Sequence, residues 1–153
     1  MTTEGMGAHP MRKRQQRQDA IRRIVRGRRV KTQRALVDLL QAEGFDCTQA
    51  TVSRDITEMG LRKLPDGIYV LAEDLHLQRM VNDLVRDVGR SANLVLVKAQ
   101  SGTAPGVAAA LDAAELEGIL GSVSGDDTIL VVMDTEDHGD KLVETLNKFR
   151  GIA

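Results

Sequence analysis

Thr48-Gln49-Ala50-Thr51-Val52-Ser53-Arg54-Asp55-Ile56-Thr57-Glu58-Met59-Gly60 is the stretch whose reading decides the first half of the chain. Val52, Ile56 and Met59 recur at i, i+4 and i+7, so they form one apolar stripe of a helix. The opposite face carries Ala50, Arg54 and Thr57, flanked by Thr51, Ser53 and Glu58. Thr48 is the predicted N-cap and Gly60 the predicted stop, which bounds a helix of about eleven residues that is too short to stand without neighbours. Hydroxyl, amide and guanidinium groups on an outward face suit a DNA groove. The plain alternative is a solvated helix in which Arg54 pairs with Glu58 at i+4.

The residues on either side favour the groove. Upstream, Ala20, Ile21, Ile24 and Val25 mark a helix over Met11 to about Arg28, with Arg12, Arg14, Arg17, Arg22, Arg23 and Arg26 on its other faces. Thr32 caps a second helix through about Ala42, with Ala35, Leu36, Leu39 and Leu40 inward, and Gly44 ends it. Three helices in this order, the last two joined by a tight glycine-containing turn, spell a helix-turn-helix. Downstream, Leu61 to Leu64 and Ile68 to Leu71 flank Pro65-Asp66-Gly67, a hairpin. A hairpin directly after the third helix is a wing, and Arg62 and Lys63 on it fall near the phosphate backbone.

Charge divides the chain. Residues 1–72 hold 14 Lys and Arg against 8 Asp and Glu, net +6, and residues 73–153 hold 7 against 14, net -7, which together give the overall -1. The basic half suits a polyanion and the acidic half a cation. Aromatic residues are 2% of the chain, so its cores are built from Leu, Ile, Val, Ala and Met. No apolar run approaches the roughly 18 residues of a membrane helix, and residues 1–10, read as a flexible tail with His9, lack the core of a secretion signal. The expected compartment is the cytoplasm. Cys47 is the single cysteine, which leaves no internal disulfide and reads as a small buried thiol.

In the acidic half, residues 73–78 read as a connector containing His76, and residues 79–153 as a second domain. Leu77, Val81, Leu84, Val85 and Val88 mark a helix ending near Gly89, and Leu94 to Val97 a strand. Ser101 to Gly106 is a turn, Val107 to Ala114 a helix, Ile119 to Val123 and Thr128 to Met133 two strands, and Gly139 to Phe149 a last helix. The result is a small α+β domain. Its strands are near-continuous apolar runs, which calls for cover on both sheet faces, and so few helices leave part of that cover to a second copy of the domain.

Thr48 to Ile56, followed by Gly60-Leu61-Arg62-Lys63, resembles the DNA-binding segment of the bacterial arginine repressors. Gly118-Ile119-Leu120-Gly121-Ser122-Val123-Ser124-Gly125-Asp126-Asp127-Thr128-Ile129 resembles the signature of that family's arginine-binding, oligomerising domain. The resemblance implies a homohexamer of two stacked trimers, L-arginine bound between them as corepressor, and palindromic operator DNA of arginine-metabolism genes under the winged domains. It assigns DNA contacts to Gln49, Thr51, Ser53, Arg54 and Lys63, and ligand contacts to Asp112, Ser124, Asp126 and Asp127. There is one departure. Counted from Pro105-Gly106, Ala109 occupies the place of a ligand-facing Gln or His in the family, and Asp112 comes about one helical turn early.

Two other classes remain open at this stage. No nucleophile-base pair, phosphate loop or metal-ligand cluster is legible, which argues against an enzyme. A winged-helix regulator whose second domain only oligomerises, or senses a different cationic metabolite, accounts for Ala109. In either case Ser124 to Thr128 also has the composition of an ordinary hairpin turn.

Overall fold

The computed structural model describes residues 10–151. The expected tail lies outside the described residues except for Pro10, and so does His9. The chain divides into two compact units, the first ending at Ala72 and the second beginning at Glu73.

In the first unit α1 (Pro10–Gly27), α2 (Gln33–Ala42) and α3 (Gln49–Met59) precede a hairpin of β1 (Leu61–Lys63) and β2 (Tyr69–Leu71). The caps fall where the sequence puts them. The Thr32 hydroxyl accepts from the Ala35 N–H at 3.0 Å and the Thr48 hydroxyl from the Thr51 N–H at 3.3 Å. Gly60 ends α3 at φ +68, a left-handed conformation that disfavours a side chain. The strands pair Leu61 with Leu71 and Lys63 with Tyr69, and the Tyr69 N–H reaches back to the Val30 carbonyl at 2.9 Å. Ile21, Leu36, Leu40, Val52 and Leu71 are fully buried at the centre, and Cys47 is buried beside them. Burial pushes the Cys47 thiol above its ordinary pKa. This is a winged helix-turn-helix.

One residue of α3 breaks the apolar rule. Asp55 is 1% exposed, the charged residue that is fully buried among those described. The Arg17 guanidinium of α1 takes both its oxygens, at 2.5 and 3.0 Å, and the Gln18 amide donates at 3.0 Å. A buried carboxylate survives only with such partners, so the pair fixes the roll of α3 against α1. Asp55→Ala strands the guanidinium, and its expected cost is about 3 kcal/mol of unfolding free energy. The double change Arg17→Met with Asp55→Leu, read by urea denaturation, is expected to cost less than either single change. A double variant less stable than both would reject this account.

The second unit runs α4 (Ala72–Leu84), β3 (Val85–Ser91), β4 (Leu94–Ala99), α5 (Ala104–Ala114), β5 (Ile119–Ser124), β6 (Thr128–Met133) and α6 (Glu136–Phe149). The strands form one antiparallel sheet in the order β3-β4-β6-β5. Three expectations change. Residues 73–78 are not a connector but lie in α4, where Glu73 and Asp74 sit in the first turn and favour the positive end of the helix. The predicted helix through Val88 is instead a helix that stops at Leu84 and then strand β3. A bulge between Val85 and Asp87 lets Val85 and Val88 bury on one face three residues apart, a spacing that imitates a helix. Finally, both later helices begin three residues early: α5 at Ala104 rather than Val107, with Pro105 in its first turn, where its missing N–H costs nothing, and α6 at Glu136 rather than Gly139, capped by Thr135.

Val95, Val97, Ala99, Ile129, Val131 and Met133 bury one face of the sheet in a core with Leu111 of α5 and Leu142 and Leu146 of α6. The alternate residues point the other way: Leu94, Leu96 and Val123 are exposed, and Leu130 and Val132 half-buried. Among the described residues of this unit, therefore, helices cover one face only.

At the far end of the core His138 joins two turns. Its Nδ1 lies 2.6 Å from Asp134 and its Nε2 3.3 Å from Glu117. Gly118 lies flush against the ring at φ +85, and a Cβ there would stand 2.5 Å from His138 Cβ. The hydrogen bond to Asp134, with the charges of Asp134 and Glu117, raises the imidazole above its usual pKa of 6.5, and the same bond lowers Asp134. A raised histidine contributes stability that is fully present below its unfolded pKa and lost as pH rises through the folded value. Wild type should therefore exceed His138→Gln in melting temperature by more at about pH 6 than at about pH 9. Equal margins at both would show that the imidazolium is not what fastens the turns.

Candidate nucleic-acid interface and ligand surface

On α3 Gln49 and Arg54 are exposed and Thr51 and Ser53 half-buried. The Thr51 hydroxyl meets that of Thr48 at 3.0 Å, so it helps to close the cap as well as facing outward. Glu58 is taken by α1: Arg14 pairs with it and the Gln18 amide donates to it at 3.0 Å. That settles the alternative for Arg54. No carboxylate among the described residues pairs with its guanidinium, whose donor fork is left to solvent on the outward side of the helix. Lys63 on β1 is exposed, with its ammonium 5.2 Å from the centre of the buried Tyr69 ring, a cation–π contact that steadies the wing. Arg62 beside it is also exposed.

In the second unit Ser124 ends β5, and Asp126 and Asp127 lie in the turn that follows it to β6. Its backbone is tied down at two points. The Asp127 carbonyl accepts from the Ala99 N–H at 2.7 Å and the Asp126 carbonyl from the Ala104 N–H at 3.2 Å, which fixes the turn to the end of β4 and the start of α5. The side chains are set by hydroxyls. Ser101 donates to Asp126 at 2.8 Å, and Thr128 donates to Asp127 at 2.8 Å while accepting from the Lys98 ammonium at 2.9 Å. The Thr128 bond, helped by the nearby charges of Lys98 and Arg86, holds the Asp127 carboxyl below the usual carboxylate range.

Asp112 stands apart from that turn. It is exposed on α5 and accepts from the Ser122 hydroxyl of β5 at 3.4 Å. Ala109, one turn before it, is exposed on the same side and offers only a methyl group. Among the described residues no Lys or Arg forms an ion pair with Asp112, Asp126 or Asp127. Their side-chain partners are neutral hydroxyls, which leaves acceptor positions on each carboxylate open to a donor fork.

The sequence reading missed the donors. Lys98 had a signal, since it interrupts the apolar run of β4, and Thr128 directly follows Asp127. Ser101 and Ser122 had none, because they reach the aspartates only through the fold. Among the described residues no helix is long and apolar enough to cross a membrane.

Comparison with known proteins bears on both surfaces. The family model described as "Arginine repressor, DNA binding domain" matches residues 12–77, and that described as "Arginine repressor, C-terminal domain" matches residues 81–148. The arginine repressor of Thermus thermophilus is 45% identical over 138 residues, which cover 83% of this chain and 84% of the relative. That of Carboxydothermus hydrogenoformans is 38% identical over 144 residues, covering 87% of this chain and 96% of its own length. That of Halothermothrix orenii is 42% identical over 120 residues, or 71% and 80%. With a winged helix-turn-helix that leaves Arg54 outward in one unit, an acidic turn in the other, and both family models matched in that order, the chain belongs to the arginine repressor family.

Proposed function

We propose that this chain, an arginine-responsive transcriptional repressor by family, binds palindromic operator DNA of arginine-metabolism genes as a homohexamer of two stacked trimers, with L-arginine as corepressor. The observation that carries the reading is an acidic turn whose carboxylates make no direct ion pair among the described residues, on the same sheet as an uncovered apolar face. The apolar face supplies the contact between copies, and the turn supplies the switch. Asp112, Ser124, Asp126 and Asp127 bind L-arginine, whose planar guanidinium matches carboxylates with a fork of donors. Repeated around a symmetry axis, the same carboxylates repel one another until the ligand neutralises them. The cytoplasm is the proposed compartment.

At the other end of the chain Gln49, Thr51, Ser53 and Arg54 meet base edges or the backbone in the major groove, and Lys63 meets a phosphate. Arginine strengthens DNA binding by favouring the arrangement of winged domains that the operator also favours, a coupling of about 1–3 kcal/mol in typical cases.

A second reading has one observation in its favour. Ala109 offers no amide or imidazole to a ligand, which fits a domain that only oligomerises or takes another cationic metabolite. Melting the full chain with L-arginine, ornithine, citrulline and lysine separates the two, because a ligand selective for the folded state raises the melting temperature. The expected result is a rise with arginine that Asp126→Asn and Asp127→Asn abolish. Four unchanged curves would favour oligomerisation alone.

On DNA, Arg54→Ala is expected to cost about 1–3 kcal/mol of discrimination between operator and altered operator. Lys63→Ala should weaken every duplex alike and lower the salt slope by about one. Electrophoretic mobility or anisotropy titrations at several salt concentrations read both, and wild-type behaviour from both variants would remove α3 and the wing from the interface.

A further inference from the structure

Lys98 is a residue of the second unit that neither the core nor the family resemblance accounts for. It lies on β4 with its side chain on the uncovered face, in register with Asp87 on β3 and Thr128 on β6. A lone ammonium beside Leu96 and Leu130 costs solvation as soon as another copy covers the sheet, so its partners matter. Its partner is a hydroxyl, not a carboxylate. The Lys98 ammonium donates to Thr128 Oγ1 at 2.9 Å, and that hydroxyl donates to Asp127 Oδ1 at 2.8 Å.

The order of donors has a consequence. A hydroxyl has one proton to give and can turn it in several directions. Once its oxygen accepts from an ammonium, the proton points away from the cation, toward the carboxylate, and the polarised O–H becomes a stronger donor. The chain Lys98 to Thr128 to Asp127 is therefore one-way, ending on a carboxylate that the proposed function gives to L-arginine. We propose that Lys98 is a positioning residue for the ligand site: it locks the Thr128 hydroxyl onto Asp127 and so presents that carboxylate, ionised and in one orientation, to the incoming guanidinium. The proposal rests on the arginine reading of this turn. The charged groups around it are Asp87 across the strand pair, Asp126 next in the turn and Arg86 near Asp127.

Calorimetric titration of L-arginine into the full-length assembly, with K98M, K98R, T128V and the double variant K98M/T128V, tests it. K98M and T128V should each weaken arginine binding about tenfold, the scale of one charge-assisted hydrogen bond, and K98R should restore most of the loss. Because Lys98 acts through Thr128, the double variant should bind no worse than T128V alone. A purely structural lysine would not move the acid limb of arginine binding. Here that limb should shift to higher pH in K98M, since Asp127 loses the lock on its Thr128 bond and, with it, part of what keeps it ionised. Wild-type affinity in K98M, additive losses in the double variant, or an unmoved acid limb would each overturn the proposal. If K98M does not fold, K98Q takes its place under the same criteria. Asp127→Asn tells the two failures apart: if it abolishes binding while K98M does not, only the role of Lys98 falls, and if it binds arginine normally, the ligand assignment falls with it.

Discussion

The second unit is governed by the fact that a four-stranded sheet has two faces and its own helices cover only one. Burying a Leu or Val side chain is worth about 1.5–3 kcal/mol, so the row of Leu94, Leu96, Leu130, Val132 and Val123 carries a standing drive toward association. What opposes that drive sits on the same sheet. The turn after β5 presents adjacent carboxylates with hydroxyl partners and no direct ion pair among the described residues, and bringing such carboxylates close to one another costs Coulomb energy unless a cation comes too. Apolar attraction and acidic repulsion thus meet on one surface, which is why the proposed function places the cationic ligand there.

The first unit solves a different problem with the opposite device. α3 keeps its polar groups outward and its orientation fixed, although eleven residues cannot hold themselves straight. Val52 and Ile56 anchor it by burial, but apolar contact alone tolerates rotation. The Arg17 and Gln18 grip on Asp55 does not, because charge-assisted bonds are directional. Its neighbour in sequence, Arg54, is left outward and unpaired because α1 also occupies Glu58. A carboxylate turned inward and a guanidinium turned outward at adjacent positions thus follow from one set of contacts with α1.

Much of this was legible beforehand. Thr32, Thr48 and Gly60 mark helix ends by local chemistry, and α2, α3 and the wing follow within a residue or so. The acidic turn was legible too, since Ser124 to Thr128 separates two apolar strands. Strand β3 was not: its bulge gives Val85 and Val88 a three-residue spacing, and periodicity cannot tell that from a helix turn. The connector at residues 73–78 misled for a related reason, because acidic residues mark a solvated link and a helix N-terminus equally well.

What the sequence by itself determined was therefore whatever depends on neighbours a few residues apart: the caps, the turns, the amphipathic stripes, the division of charge and the identity of the carboxylates. Tertiary structure alone decided which charges meet. Whether Glu58 belongs to Arg54 or to Arg14, whether Asp55 points inward, and whether Lys98 reaches Asp127 directly or through Thr128 all depend on side chains brought together from separate elements. Ion pairs and hydrogen bonds act over a few ångströms of space, and no local pattern along the chain records which distant residues will come within that range.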